Sequence, residues 1–520
     1  MAIYFGGDLS STKVSLVAID GRTMKRVGTY RASIDDIAHS MGIQTKDGMV
    51  EGPDGLVTVP GRVLVKAVQD VMQQAANDSS FDNADVRAGS WSVQGHLGVY
   101  LRQGAAERLR SPDLTGDLST LMEPFFTCDC PTWKDSSTSA QVAVLNHKMR
   151  EAGVPVIVMA ERYPGPQIAK RVKTSAYDDA SHFMVGNALP SFIITGVRTF
   201  SGPGDAAASG FVNLENLTLC KEAADIIDEG LISKVAPVTA AGGYIGPASP
   251  FFRRTGFTNL HMYVGDQDNV KSAAYLICGD RVLQVSLGTS YTVSNTATSP
   301  LPGFEGNFAS NDKSRPYLLL LTKRNGSSSI VATLVAHGKG EKEFGLISPA
   351  LAATPVGNDG AMALPHYGSE IIPYNPSGVA IIREGYNTDA TFPIDMRAVI
   401  EGNAASMKIW TNHYLGKGFN ALSFAGGATN NMDIVQAWVN VFGVPGYLMN
   451  NSDDAAAIGA ALTAMADSDG RRSLQTVQRA FLRANQPQIV TVDERAAAFY
   501  QKTFLPAYQA FEAKHIQARR

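Results

Sequence analysis

The sequence predicts an α/β protein built in two halves. Two observations carry this. Strand-like runs alternate with amphipathic stretches along the whole chain, the pattern of mixed layers. A strand–polar turn–strand unit also occurs twice, once over residues 2–20 and again over 281–295. A unit repeated at that separation points to duplication. It favours two domains over the three that 520 residues allow at ~150 each.

The elements follow in order. Residues 61–78 place Val63, Val65, Val68, Val71 and Met72 near helical spacing. A strand over 88–93 leads into Gln94-Gly95-His96. Helices are expected over 137–151 and 166–176, and a Gly/Ala/Ser-rich connection over 200–212. A strand over 261–264 runs into a helix headed by Asp268. Further helices are expected over 394–415, 432–443 and 493–517, with a strand over 421–425 and a small-residue helix from Ala455. A boundary is placed in 250–262, near Pro247, Pro250 and Gly256.

Composition excludes several classes. Lys plus Arg number 45 against 48 Asp plus Glu, a net charge of -3. A strongly basic nucleic-acid binder needs surplus cations to neutralise phosphates, so that class is set aside. No apolar run reaches the ~18 residues of a membrane helix, and the N-terminus has no signal-like pattern. Cys128, Cys130, Cys220 and Cys278 match neither a zinc pattern nor a disulfide scaffold, which places the protein in a reducing cytoplasm.

Five segments have the residues of a phosphate or polyol site. In the first polar turn, expected to hold Gly6, Gly7, Asp8, Ser10, Ser11 and Thr12 ahead of Lys13, small and hydroxyl residues suit a phosphate, and Asp8 suits Mg²⁺ held through water. Gly288-Thr289-Ser290 repeats the theme in the second half. Asp268, heading a helix after Gly265-Asp266-Gln267, is a candidate general base. Gly426-Gly427-Ala428-Thr429-Asn430-Asn431 leads into a helix N-terminus. The fifth group comprises Gln94-Gly95-His96, Glu161-Arg162-Tyr163 and the run Cys130 to Thr138, all candidates for a polyol pocket. Each segment alone also reads as an ordinary turn, cap or packed helix. Neither a P-loop nor a G-x-G-x-x-G is present.

In order and spacing, these segments resemble the FGGY carbohydrate kinases of the sugar kinase/Hsp70/actin superfamily. The resemblance runs from Tyr4 to about Gln509, and its most specific part is Trp133-Lys134-Asp135-Ser136-Ser137-Thr138. Together with Gln167 to Lys170, Asp268-Asn269 and Ser286 to Ser290, it is nearest to the xylulose-phosphorylating members. It implies a two-lobed, ribonuclease H-like fold of duplicated domains with a cleft between them. Residues 1–258 would form the sugar lobe and 259–520 the ATP lobe. It implies ATP and Mg²⁺ as cofactors and D-xylulose as acceptor. Asp268 would be the base, and Asp8 would position Mg²⁺ and phosphate. His96, Arg162, Asp268 and Asn269 would hold the sugar. Ser10, Ser11, Gly288, Thr289 and Ser290 would meet phosphate, and Gly427, Ala428 and Asn431 adenosine.

Three positions depart from the family pattern. Ser10 and Gln267 stand where many relatives have Gly, and Gly95 stands where close relatives have a second Gln. Asp266 competes with Asp268 for the base. Asp268 is preferred because Gly265 lies three residues earlier and the spacing to Gly288 needs no insertion. The rivals are the same chemistry on ribulose, sedoheptulose or glycerol, and a regulatory ATPase of the same superfold. The oligomeric state is left open, a homodimer included.

Overall fold

In the computed structural model, each of the two strand–turn–strand segments starts a separate unit. The structure describes residues 1–276, 279, 281–302, 304–375, 378, 381–387, 389–449 and 452–516, with only the backbone of Ser452. Cys278 lies outside the described residues. The first unit comprises residues 1–275, 296–318 and 454–485; the second comprises 276–295, 319–453 and 486–520. The 258/259 cut expected from the sequence falls inside the first unit.

In the first unit, β1 (Ile3–Leu9) pairs antiparallel with β2 (Lys13–Asp20), and β2 with β3 (Arg26–Ser33). On the other side β1 runs parallel to β4 (Val86–Val93). Beyond it lie β5 (Tyr244–Pro247) and β6 (His261–Tyr263), and the short β7 (Asp266–Gln267) extends along the end of β4. Helix α1 (Gly61–Ala76) buries Val63, Leu64, Val65, Val68, Val71 and Met72 in the same core as Ile3, Phe5, Leu16 and Trp91. Its apolar face is the one expected from the sequence.

Gly6, Gly7 and Asp8 lie inside β1, and the turn itself is Ser10 to Thr12. This corrects the expectation that both glycines belong to the polar turn. Packing explains them instead. A Cβ on Gly6 would stand 1.9 Å from the Ala457 carbonyl oxygen, and one on Gly7 2.2 Å from the Trp91 ring. Ala457 belongs to the small-residue helix Ala455–Asp469, which lies flat on β1. Gly459 of that helix meets the backbone of Lys271 equally closely. The helix is therefore rich in Ala and Gly because backbones must approach there. It also brings residues from late in the chain into the first unit.

In the second unit the strand order is β10-β9-β8-β11-β12-β13. These are β8 (Val282–Leu287), β9 (Tyr291–Ala297), β10 (Tyr317–Lys323), β11 (Ala421–Ala425), β12 (Gly446–Leu448) and β13 (Gln488–Val490). β8 and β11 run parallel with Ser286 opposite Ala425. The expected long helices are Phe392–Tyr414 and Met432–Phe442.

Two helices differ from expectation. The one expected over 166–176 is Pro164–Arg171 and breaks before Lys173, whose φ is +67°. The one expected over 493–517 runs as Glu494–Phe499, a wider π turn Tyr500–Phe504, then Leu505–His515. Pro506 has no N–H to continue the regular ladder there.

Candidate active site

The parallel strands β1, β4 and β7 end side by side. Register puts Asp8 opposite Ser92, and Asp266 opposite the same Ser92. Three acids are thus delivered to one edge of the sheet by Asp8, Asp266 and the next-but-one residue, Asp268. Ligands of open α/β sheets bind at this carboxyl end of the strands.

The acids are not equivalent. Asp266 is fully buried, and its carboxylate accepts the backbone N–H groups of Gly204 (3.0 Å), Asp205 (2.9 Å) and Gln267 (2.9 Å). Burial nevertheless pushes its pKa up to about 7, with Lys271 pulling it down. Lys271 itself is buried, and its Nζ donates to the Val264 carbonyl, Asn311 and Thr463. Asp266 is therefore a structural anchor with both oxygens engaged.

Asp268 begins the helix Asp268–Leu276 and keeps part of its surface exposed. Its Oδ1 accepts the backbone N–H (2.7 Å) and side-chain amide (3.0 Å) of Asn269. Surrounding protein raises its pKa to about 7, and the negative charges of Asp8 and Asp205 add to the rise. Asp8 accepts a hydrogen bond from Ser92 Oγ (2.8 Å), and burial brings its pKa to about 6.

Asp205 was not singled out from the sequence. The expected connection over 200–212 holds a short helix, Pro203–Ala207, whose Asp205 is fully buried. Its carboxylate accepts the His96 backbone N–H (3.1 and 3.3 Å) and the Asn187 amide (3.2 Å). His96 needs that clamp because its φ is +66°, uncommon for a residue with a side chain. His96 Nδ1 lies 3.2 Å from the same carboxylate. Burial lowers the His96 pKa, Asp205 opposes this, and the Arg162 charge adds to the lowering.

The structure also brings together the segments expected from the sequence to form a polyol pocket. The Arg162 guanidinium stands 5.0 Å from the Tyr163 ring centre, and that ring lies 4.7 Å from His96. Gln167 Nε2 donates to the carbonyls of Thr132 and Arg162, and Thr138 Oγ1 to that of Glu161. Trp133 Nε1 donates to Ser11 Oγ (2.9 Å), which donates to Gln94 (3.0 Å). The Ser10 hydroxyl closes its own turn onto the Lys13 carbonyl (2.9 Å). Both hydroxyl protons expected to face phosphate are therefore engaged within the protein.

In the second unit, Gly288, Thr289 and Ser290 form the turn between β8 and β9. The carbonyls of Gly288 and Thr289 accept the N–H groups of Ser327 and Ser328. The Gly426–Asn431 segment arrives beside this turn because β11 is the parallel neighbour of β8. Gly426 has φ +95°, and a Cβ there would stand 2.6 Å from the Leu287 carbonyl carbon. Gly427 faces open space: a Cβ added to it would meet nothing within 4 Å, and Ala428 is partly exposed. Asn431 caps the helix Met432–Phe442: its Oδ1 accepts from Asp433 and Ile434, and its Nδ2 donates to Ser348. Thus the expected adenosine residue Asn431 has both ends of its amide in use.

Comparison with known proteins finds a family match in the later part of the chain. Residues 283–468 match the C-terminal domain of the FGGY family of carbohydrate kinases. Over these residues the chain carries an FGGY carbohydrate kinase C-terminal domain, which supports a carbohydrate kinase enzyme. It is 26% identical to a xylulose kinase of Mus musculus over 98% of this chain and 94% of the relative. Two solved structures from Lactobacillus acidophilus share the fold over 99% of this chain and 98% of theirs, each 17% identical. One is a gluconate kinase, TM-score 0.80, and the other a ligand-bound xylulose kinase, TM-score 0.79. Kinase chemistry brings ATP with it.

Mg²⁺ fits the acids at the sheet edge. Asp8 and Asp268 stand close enough to raise the Asp268 pKa, so a cation there would relieve a repulsion. Among the described residues no three His, Cys, Asp or Glu side chains gather as a chelate. Mg²⁺ would need only one or two carboxylates there, because it keeps waters and phosphate oxygens as its other ligands.

Proposed function

We propose that the protein phosphorylates D-xylulose at its terminal hydroxyl, with ATP as donor and D-xylulose 5-phosphate as product. The observation that carries this reading is the contrast between Asp266 and Asp268. Both are raised to about 7, but Asp266 is tied to three backbone N–H groups, whereas Asn269 occupies only Oδ1 of Asp268. Asp268 Oδ2 takes the hydroxyl proton, at a pKa suited to a base at neutral pH. Asn269, His96 and Arg162 orient the sugar, and Trp133 and Gln94 brace the wall of its pocket through Ser11. Asp8 would hold Mg²⁺, which would offset the charge of the transferring phosphoryl group. The first unit takes the sugar. The open backbone at Gly427 and Ala428 and the Gly288–Ser290 turn, all in the second unit, take adenosine and phosphate. Among the described residues no helix is long and apolar enough to cross a membrane. The free thiols of Cys128, Cys130 and Cys220 suit the cytoplasm, where we place the reaction.

The test is a coupled ADP-release assay with D-xylulose, ribulose, sedoheptulose, gluconate and glycerol. The expected result is highest kcat/KM for D-xylulose. Preference for another acceptor would replace the substrate and keep the chemistry. ATP turnover indifferent to every sugar would favour a regulatory ATPase.

A further inference from the structure

Between the anchor Asp266 and the base Asp268 lies Gln267, a residue to which the reaction above gives no role. It is 1% exposed, and its Nε2 has no hydrogen-bond partner among the described residues. Its backbone is fixed at both ends: β7 pairs Gln267 with Val93, and its N–H is held by Asp266 Oδ1 at 2.9 Å. The side chain lies over Gly95, since a Cβ on Gly95 would stand 3.0 Å from Gln267 Oε1. Gly95 is itself partly exposed and sits between Gln94 and His96. A polar amide thus takes space that a side chain at 95 would need, on the residue before Asp268 and against the residue before His96. A buried amide donor is left unpaired in native proteins only rarely, and functional sites are among the exceptions.

We propose that Gln267 is a specificity-determining residue, its Nε2 donating to an oxygen of the sugar near the hydroxyl that Asp268 deprotonates. The inference rests on the reading of Asp268 as base and on a sugar in the first unit. Gly95 has no side chain because the Gln267 amide occupies that place. The pair sets the shape and polarity of one wall: a side chain at 95 and the amide of 267 exclude each other.

The test uses Gln267→Met, which keeps length and volume but removes the amide, and Gly95→Ala, which pushes a methyl group against it. Loss of one hydrogen bond to substrate predicts roughly a tenfold rise in KM for D-xylulose in Gln267→Met, with kcat and the KM for ATP little changed. Monodeoxy ketoses, each lacking one hydroxyl, identify the partner. One of them loses the same factor with the wild-type enzyme but loses nothing more with Gln267→Met, a coupling that a merely structural residue would not produce. Gly95→Ala is expected to act in the same direction, more weakly. Thermal unfolding of each variant checks folding, and should Gln267→Met not fold, Gly95→Ala decides alone: an unchanged KM for D-xylulose overturns the proposal. Wild-type KM values for every ketose in Gln267→Met overturn it too, and leave the kinase reading standing. That reading fails separately if Asp268→Asn keeps wild-type turnover, or if the wild-type enzyme phosphorylates no ketose.

Discussion

The two strand–turn–strand segments look alike as sequence and differ in what they carry. In the first unit, β1 carries a buried carboxylate, Asp8, one residue before its end, and Asp205, Asp266 and Asp268 gather around the same sheet edge. In the second, β8 ends in Leu287, and the turn that follows offers hydroxyls and backbone. The glycines divide likewise. Gly6 and Gly7 are required by a helix and a Trp ring pressed on β1, whereas Gly427 opens onto free space. On the proposed reading, the two similar segments serve two uses. The acid-rich copy suits proton removal and a cation, and the neutral, glycine-lined copy suits a nucleotide.

The strongest way to break this contrast is Asp268→Asn. If the acid-rich edge holds the base, kcat falls by roughly 10²–10⁴-fold. Sugar binding measured by calorimetry should persist. Stability moves the other way. A carboxyl whose folded pKa is raised to about 7 stabilises the fold fully only below its unfolded value, near ~3.9, and loses that contribution as pH rises through about 7. The wild-type unfolding midpoint should therefore fall between pH 5 and 8 by more than the variant's does. The window stops at 8 because Lys271, whose pKa burial lowers to about 8, begins to titrate there. Equal slopes in the two proteins would mean that the Asp268 pKa is not raised as described above.

Next in size is Asp8→Asn. A carboxylate that meets Mg²⁺ only through water acts as an outer-shell partner, and loss of such partners costs roughly 10–100-fold in metal affinity. Titrating Mg²⁺ at fixed ATP should shift the half-saturating concentration upward by that factor, while the KM for sugar changes less. A shift in the sugar KM alone would remove Asp8 from the metal's surroundings and leave the acid-rich edge a proton site only.

Much of this was legible from the sequence because it is local. The hairpins, the helix behind Asp268 and the strand before Gly426 follow from periodicity and turn residues within a few positions. What escaped depends on distance along the chain. Asp205 in a Gly/Ala stretch looks like a loop residue until its carboxylate is seen to hold the backbone of His96, 109 positions away. The reason for Gly6 lies on a helix near the other end of the chain, a contact that no local pattern carries. The candidate pocket residues were nameable from motifs. Their union through Ser11, Trp133 and Gln94 was not, because each of those hydrogen bonds spans more than eighty positions.

Gly6→Ala sharpens the glycine half of the comparison through stability. The new methyl would stand 1.9 Å from a backbone carbonyl that belongs to a packed helix and cannot rotate aside. Overpacking of this kind costs about 1–3 kcal/mol, sometimes more, so a clear drop in the unfolding midpoint is expected. An unchanged midpoint would mean that the helix Ala455–Asp469 is not seated on β1 as described.

The smallest effect belongs to Gly427→Ala, and its value lies in what it leaves alone. Nothing stands within 4 Å of the added methyl and the residue is exposed, so the unfolding midpoint should stay within about 0.5 kcal/mol of wild type. Unlike Gly426, with its φ of +95°, Gly427 is not in the left-handed region, so backbone strain does not enter. A methyl there can act only on what comes to lie against the backbone. If that is adenosine, the KM for ATP rises a few-fold while the KM for sugar and the midpoint hold. A change in stability instead would make Gly427 another packing glycine like Gly6, and would erase the division of labour between the two copies.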